Sequence, residues 1–349
     1  LVDTVKREFS DELLNNITEI VDLNSIDYVV ANHVEMDHSG SLPVVMEEAK
    51  NARIVATERG KNDVFKHYGR TWPFVIVKTG DVLRLGKRTL EFIEAPMLHW
   101  PDSMFTYLRE DSILMPNDAF GQHLACSQRF NDEVEGAMDY ASEYYANILM
   151  PFAPLILNII QKIKEMRIAI NMIAPSHGVV WRTDPERIVD AYVAWSQGVS
   201  KDKVAIVFDT MWRSTDKMAR AIARGIAAEG VEVRLLHLRE TDWSEIVKYI
   251  LDSKAVLVGS STLNNGMFPT VGGFLTYLKG LKPKEKIAAA FGSYGWGGGA
   301  VSSIEAELKA MEFEVLEPSL QVTYVPDEKD IERCTELGRK VAKKVKGNS

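Results

Sequence analysis

Short apolar runs alternate with amphipathic stretches in the first half of the chain, and this pattern predicts a mixture of strands and helices. Strands are predicted at 27–31, 53–56, 74–77, 89–95, 104–108, 112–115 and 168–173. Helices are predicted at 42–49, 60–68, 135–149, 155–165 and 185–197. The stretches 79–85 and 87–93 flank Gly86-Lys87, which is typical of a β-hairpin. Hairpins mixed with helices predict a layered α+β domain.

After a short polar connector at 198–203, the pattern becomes a strict alternation of strand and helix. Strands are predicted at 204–208, 231–236, 255–259, 287–291 and 320–325. Helices are predicted at 215–228, 243–251, 270–280 and 302–311, followed by a Lys-rich helix from Glu328 that we expect to be a solvated face. Apolar strands separated by helices predict a doubly wound parallel sheet. The predicted domains are therefore 1–198 and 203–346.

Composition narrows the class of protein. The chain has 349 residues, of which 46% are hydrophobic and 26% charged, as in an ordinary globular protein of two or three domains. A formal net charge of -8 argues against general affinity for nucleic acid or for an anionic membrane. Two distant cysteines form no disulfide framework, so we expect a cytoplasmic protein. No apolar run is expected to span a bilayer, and the strand-like residues 1–4 predict a natural chain that begins before Leu1.

The segment that follows the first predicted strand has an unusual density of possible metal ligands. His33, Glu35, Asp37 and His38 lie within six residues. In an extended or turning loop, two ligands that are two positions apart can reach the same metal ion. The next pair of ligands can then reach a second metal ion. This crowding predicts two adjacent metal ions, whereas the alternative is a polar turn with surface histidines.

Three further turns follow predicted strands and add one candidate ligand each. They contain His99, Asp118 and His177. Alone, His99 or His177 would be a structural or surface histidine. Their shared position at strand ends favours one metal centre instead. His67, His123 and His237 have no such context and are expected to be ordinary.

The order of these residues resembles the metallo-β-lactamase superfamily over roughly residues 1–197. The resemblance implies an αββα sandwich with His33, Glu35 and His99 on one ion, Asp37, His38 and His177 on the other, and Asp118 between them. Its hydrolases usually have histidine at the position of Glu35, and an added carboxylate favours iron over zinc. His38 is the least secure ligand, because it could instead support the others.

A hydroxyl-rich loop follows the first strand of the second predicted domain. Its Thr210, Ser214 and Thr215 hydroxyls and the backbone N–H groups of the following helix predict a phosphate site. The loop lacks the Gly-Lys pair of a Walker motif and the Gly-x-Gly-x-x-Gly turn of dinucleotide sites. The alternative is that Ser214 simply caps the helix.

Two more strand ends place aromatic and amide groups beside that loop. The region 202–346 resembles flavodoxin, and the resemblance implies FMN. The residues expected to bind it are Thr210, Met211, Trp212, Ser214, Thr215, Thr262, Leu263, Asn264, Asn265, Ser293, Tyr294, Gly295 and Trp296.

Together the two halves resemble the flavodiiron proteins. The match includes Met97–Ser103, Tyr144–Asn147, the Trp212-x-Ser214-Thr215 motif and Gly292–Trp296. The resemblance implies reduction of dioxygen to water or of nitric oxide to nitrous oxide at a diiron site. It also implies an FMN relay, a head-to-tail homodimer or dimer of dimers, and rubredoxin or a reduced deazaflavin as a separate donor. Two alternatives stay open, a dizinc hydrolase with an appended flavodoxin domain and a pure electron carrier.

Overall fold

The computed structural model describes residues 1–347, which form two compact units. The first unit contains Leu1–Tyr145 and Phe152–Val193. The second contains Ala146–Pro151 and the chain from Ala194 onward. The limits expected for the domains from sequence, 1–198 and 203–346, stay a prediction.

Two sheets form the centre of the first unit. Their strands are β1 (Tyr28–Val30), β2 (Arg53–Ala56), β3 (Phe74–Ile76), β4 (Val82–Leu85), β5 (Arg88–Glu94), β6 (Met104–Leu108), β7 (Ile113–Met115) and β8 (Met172–Ile173). The first sheet is parallel in the order β1-β2-β3. The second has the order β4-β5-β6-β7-β8, antiparallel except that β8 runs parallel to β7. Consequently β5, β7 and β8 point the same way and end at one edge.

Alternation along the strands explains how the layers of this unit pack. Val30 and Val55 face Phe92 and Met104 in a core between the two sheets. Val29 and Ile54 point to the opposite face of the first sheet, where helices cover them. The helices of this unit are α1 (Ser10–Thr18), α2 (Met36–Ser39), α3 (Leu42–Glu48), α4 (Glu58–Tyr68), α5 (Ala137–Tyr144), α6 (Ala153–Met166) and α7 (Glu186–Ser196). The predicted sandwich with two central sheets is confirmed.

The second unit is built on one parallel sheet. Its strands are β9 (Lys201–Phe208), β10 (Glu232–His237), β11 (Ser253–Ser261), β12 (Ile287–Tyr294), β13 (Glu314–Val315) and β14 (Leu320–Thr323). The order is β10-β9-β11-β12-β13, with β14 also paired to β12, so the predicted doubly wound sheet is confirmed. Its helices are α8 (Ser214–Ala228), α9 (Trp243–Leu251), α10 (Pro269–Leu281), α11 (Ala300–Ala310) and α12 (Glu328–Val345).

The Lys-rich helix α12 is not simply a solvated face. Its Cys334, Val341, Ala342 and Val345 are buried in the same core as α8 residues, while the lysines line the other side. Glycine makes this helix pairing close, because a Cβ at Gly338 would lie 2.1 Å from the Ile222 carbonyl oxygen. The expectation that this helix is simply a solvated face was therefore wrong.

Two local predictions also differ from the structure, and one helix was not predicted. The strand expected at 168–173 is reduced to β8, because only Met172 and Ile173 pair with β7. The connector expected at 198–203 is shorter, since β9 already begins at Lys201. Helix α1 precedes the first strand and was not predicted, because only its Ser10 and Ile17 are buried.

One continuous helical stretch, Ala137–Met166, is long and apolar enough to cross a membrane by length and composition. This corrects the expectation that the chain has no such run. The stretch contains α5, a π-helical turn at Tyr145–Leu149, a 3₁₀ turn at Met150–Phe152 and α6. Its Ile156, Ile159, Ile160 and Ile163 are buried. One such helix is weak support for a membrane span, because a core helix meets the same test.

Candidate functional site

The seven predicted metal ligands come from turns at the carboxyl ends of strands in the first unit. His33 and Glu35 follow β1, and Asp37 and His38 lie in α2, so part of the segment expected as a loop is a short helix. His99 follows β5, Asp118 follows β7, and His177 follows β8. The structure brings all seven together, although their role as ligands stays a prediction.

The first group of candidate ligands contains His33, Glu35 and His99. The His33 Nε2 atom lies 3.2 Å from Glu35 Oε2, and His99 Nε2 lies 3.1 Å from the same oxygen. Asp118 Oδ2 lies 3.5 Å from both imidazole nitrogens. Atoms that share one ion at about 2.1 Å are themselves roughly 3–3.5 Å apart, so these distances suit a common cation.

The second group contains Asp37, His38 and His177. The Nε2 atoms of His38 and His177 lie 3.2 Å apart, and they lie 3.0 and 3.1 Å from Asp118 Oδ1. Asp37 Oδ2 lies 3.3 Å from His177 Nε2. Thus each oxygen of the Asp118 carboxylate faces a different group, which is the arrangement of a bridging ligand.

Buried polar atoms without partners indicate that a cation fits here. Asp118 Oδ2 and Asp37 Oδ1 are buried and have no hydrogen-bond partner among residues 1–347. An unpaired buried carboxylate oxygen is costly unless it is compensated. Imidazoles with carboxylates form the donor set expected for iron, so the residues present fit two such ions.

Within this cluster, the carboxylates and the imidazoles shift each other's pKa values. Burial alone would lower the pKa of His33, but hydrogen bonds to Asp102 and Glu35 raise it to about 9. Burial is likewise outweighed at His38, where Asp118 and Asp3 raise the pKa to about 11. Hydrogen bonds from His33 and His99 lower the pKa of Glu35 to about 2. The protonated imidazoles carry positive charge where a metal ion would otherwise carry it. A metal ion must therefore displace these protons when it binds.

Neighbouring side chains hold the candidate ligands in position. Asp102 Oδ2 accepts the Val34 N–H at 2.8 Å and lies 3.0 Å from His33 Nδ1, which turns His33 Nε2 toward the cluster. Asn117 Oδ1 accepts the Asp118 N–H at 2.5 Å. Asp102 was within the predicted motif but was not assigned a role, because its contact is with a residue 69 positions earlier.

Tyr144 is a site residue that the sequence analysis did not assign. Its hydroxyl donates to Asp118 Oδ1 at 2.9 Å, and burial together with the Asp118 charge raises its pKa well above the usual range. The ring of His123 packs edge-on against that of Tyr144, with ring centroids 4.7 Å apart. In the sequence, the Tyr144-Tyr145 pair was the signal for a tyrosine at the site. It does not reveal which of the two hydroxyls points toward the candidate ligands.

In the second unit, the predicted flavin residues lie at the carboxyl ends of β9, β11 and β12, in the loops that follow them and in the first turn of α8. These strands are neighbours in the sheet, so their carboxyl ends meet at one edge. The Thr215 hydroxyl lies 3.0 Å from Ser261 Oγ and 3.1 Å from Ser293 Oγ. Ser261 was not among the predicted residues, although it is the last residue of β11 and directly precedes Thr262. The helix start is formed by Arg213 without a side-chain cap, so the alternative of simple capping by Ser214 was wrong.

Two features of this edge suit a flat phosphorylated ligand. The Thr210 hydroxyl is buried and has no hydrogen-bond partner among the described residues, as expected for a group that awaits a phosphate. The aromatic side chains of Trp212 and Trp296 are 84% and 95% exposed, so their faces are open for stacking. The predicted turn residues Asn264 and Asn265 adopt positive φ angles, and Leu263 and Gly266 exchange two backbone hydrogen bonds across them.

The remaining predicted flavin residues lie at the same edge. Met211 is exposed, and its N–H donates to Ser261 Oγ at 3.4 Å. The Thr262 N–H, directly after β11, donates to the carbonyl of Ser293 near the end of β12 at 2.8 Å. Gly295 lies against the Tyr324 ring, since a Cβ there would be 3.3 Å from it. Tyr294 is the last residue of β12.

Comparisons with known proteins agree with this geometry. Residues 1–178 match the family described as ODP family beta lactamase, and residues 206–338 match flavodoxin. The chain is 50% identical to a nitric oxide reductase of Moorella thermoacetica, over 99% of this chain and 88% of that protein. The structure resembles rubredoxin oxygen:oxidoreductase of Desulfovibrio gigas with a TM-score of 0.97 and 39% identity, over 99% of this chain and 88% of that one. It resembles the flavodiiron protein of Giardia intestinalis with a TM-score of 0.96 and 36% identity, covering 99% and 86%.

Proposed function

The chain belongs to the flavodiiron protein family, and from that membership we propose that it reduces nitric oxide to nitrous oxide, dioxygen to water, or both. It is an oxidoreductase, as the names of the nitric oxide reductase and the oxygen:oxidoreductase that it resembles indicate. The observation that supports the proposal most is Asp118, whose two oxygens face two separate groups of candidate ligands. A dizinc hydrolase is not favoured, because relatives are reductases and Glu35 stands where hydrolases usually have histidine.

We assign two iron ions to the cluster in the first unit. His33, Glu35 and His99 would hold one, Asp37, His38 and His177 the other, and Asp118 would bridge them. When bound, the iron pair supplies electrons and open coordination positions for a small oxidant. His38 is placed as a ligand because its Nε2 faces Asp118 Oδ1 at 3.0 Å, and Asp3 lies 3.8 Å from its other nitrogen.

The chain's own residues supply orientation and a held proton. Asp102 sets the ring orientation of His33, and Asn117 positions the backbone of Asp118. Tyr144 keeps its hydroxyl proton at neutral pH, since burial and the Asp118 charge raise its pKa well above the usual range. Its O–H therefore donates toward the bridging carboxylate and stays available as a hydrogen-bond donor at the site.

We assign FMN to the carboxyl edge of the sheet in the second unit. Thr210, Thr215 and Ser293, with Ser261, would hold the phosphate, while Trp212 and Trp296 would contact the ring system. FMN, when bound, collects electrons from a donor and relays them singly or in pairs. The donor we propose is a separate molecule, either rubredoxin or a reduced deazaflavin.

Anaerobic stopped-flow mixing tests this function. Protein reduced chemically should be reoxidised on mixing with nitric oxide, with dioxygen, or with both. For nitric oxide the balance is two NO, two electrons and two protons to one nitrous oxide and one water, so nitrous oxide should accumulate. A reduced protein that stays reduced with both oxidants would contradict the proposal.

We also propose a head-to-tail homodimer, or a dimer of dimers, in which one subunit's flavin edge faces the metal centre of the other. The flavin edge exposes Trp212, Trp296 and Tyr324, and the residues Met36 and Met97 beside candidate metal ligands are also exposed. Apolar surface of this kind favours a partner surface. The double variant Trp212→Glu/Trp296→Glu should shift the mass in sedimentation equilibrium from dimer to monomer. A parent chain that is monomeric and fully active would refute the dimer.

A cytoplasmic location and the domain limits complete the proposal. Cys126 is exposed and Cys334 is buried, and both are free thiols, which suits a reducing compartment. We place the diiron domain at 1–198 and the FMN domain at 203–346. Limited proteolysis that cuts between residues 198 and 203 would support these limits, and cleavage only inside either range would contradict them.

A further inference from the structure

A buried carboxylate lies at the start of the proposed phosphate loop. Asp209 is the first residue after β9 and is 2% exposed. Its Oδ1 accepts the Thr210 N–H at 2.6 Å, and its Oδ2 accepts the Thr270 hydroxyl at 2.5 Å. A buried carboxylate requires compensation, and here a second anion, the phosphate, is expected one residue away.

Arg239 supplies that compensation. It lies in the loop after β10, the strand that pairs with β9. Its Nε donates to Asp209 Oδ1 at 2.9 Å, and its Nη2 donates to the Thr210 carbonyl at 2.5 Å. His237 Nε2 also lies 3.4 Å from Asp209 Oδ1, but neither His237 nitrogen makes a hydrogen bond within the described chain.

These contacts engage both backbone groups of Thr210. The amide donates to Asp209 and the carbonyl accepts from Arg239, while the buried hydroxyl has no partner within residues 1–347. The orientation of that hydroxyl therefore depends on the ion pair behind it. Loss of Arg239 would leave the carboxylate charge uncompensated beside the phosphate site, where it would repel a phosphate but not a neutral group.

Building on the proposed FMN site, we infer that Arg239 is a positioning residue that makes the second unit specific for a phosphorylated flavin. It neutralises Asp209 and holds Thr210, so that FMN binds more tightly than riboflavin. The isoalloxazine and ribityl groups are identical in the two flavins, so the contribution of Arg239 should appear only when the phosphate is present.

Flavin titrations of the full chain after removal of its flavin test this inference. Arg239→Met should weaken FMN binding by roughly ten- to a hundredfold, and riboflavin binding by no more than about threefold. The double variant Asp209→Asn/Arg239→Met should regain most of the lost FMN affinity, because the uncompensated charge is gone and only the Arg239 contact with the Thr210 carbonyl stays lost. Arg333→Met is the matched control, since the Arg333 side chain is 56% exposed and that of Arg239 is 55% exposed, and both pair with an aspartate.

Equal losses for FMN and riboflavin, or no recovery in the double variant, would overturn the inference and indicate a general structural role. If Arg239→Met does not fold, Asp209→Asn alone decides, because it should bind FMN at least as tightly as the parent. A loss of more than about tenfold in that variant would count against the inference. A parent chain that binds neither flavin would overturn the proposed FMN site itself, a result distinct from loss of phosphate selectivity.

Discussion

Replacing Asp118 with alanine is expected to abolish oxidant reduction while FMN stays bound. Both carboxylate oxygens face imidazole nitrogens at 3.0–3.5 Å, so one substitution removes a ligand from each proposed iron. The rate of nitric oxide or dioxygen consumption should fall by at least about a hundredfold, because loss of a supporting residue alone already costs up to that amount. Steady-state consumption with a reduced donor, together with flavin absorbance, measures both outcomes.

Asp63→Ala is a suitable control for this change. Asp63 is a carboxylate of the same unit that pairs with Arg59 on α4 and belongs to neither group of candidate ligands. It should leave consumption unchanged. An electron carrier without a metal reaction would behave differently, since neither the parent nor Asp118→Ala would consume oxidant. Full activity in Asp118→Ala would refute the bridging role.

Replacing Thr210 with valine is expected to weaken FMN binding without destabilising the flavin-free protein. The Thr210 hydroxyl is buried and unpaired within the described residues, so its removal sacrifices no internal hydrogen bond. A hydrogen bond to a charged phosphate contributes about 1.5–3 kcal/mol, which corresponds to roughly ten- to a hundredfold in affinity. Flavin titration gives the affinity, and denaturant unfolding of the flavin-free protein gives the stability.

Thr276→Val provides the comparison. Its hydroxyl donates to the Gly272 carbonyl on the exposed side of α10, so it should change FMN affinity little. If Thr210→Val bound FMN like the parent, the phosphate would lie elsewhere in the second unit.

Some strands could be predicted from the sequence to the residue. The predicted bounds of β2 and β6 agree with the structure, because each strand is a short and almost continuously buried run. Helix α1 was not predicted, because its few buried residues stand among Asp11, Glu12, Asn15 and Asn16. Helix α12 was misjudged because lysines conceal a narrow apolar stripe.

The candidate ligands could be found because each follows a strand, a position that the sequence reveals. Residues that hold the ligands in place could not, since their contacts join distant parts of the chain. Tyr144 reaches Asp118 from a helix 26 residues later, and Arg239 reaches Asp209 from 30 residues away. Nothing in the local pattern distinguishes either residue from its neighbours. Long-range pairs of this kind require the fold before they can be recognised.

Metal analysis of the anaerobically purified chain tests the central claim most directly. Two groups of candidate ligands face the carboxylate of Asp118, and the candidate ligand Glu35 adds a further carboxylate that favours iron. The expected result is about two iron atoms per chain, lost in Asp118→Ala, with flavin retained. Two zinc ions and no iron in a correctly folded parent chain would contradict a redox centre in the first unit.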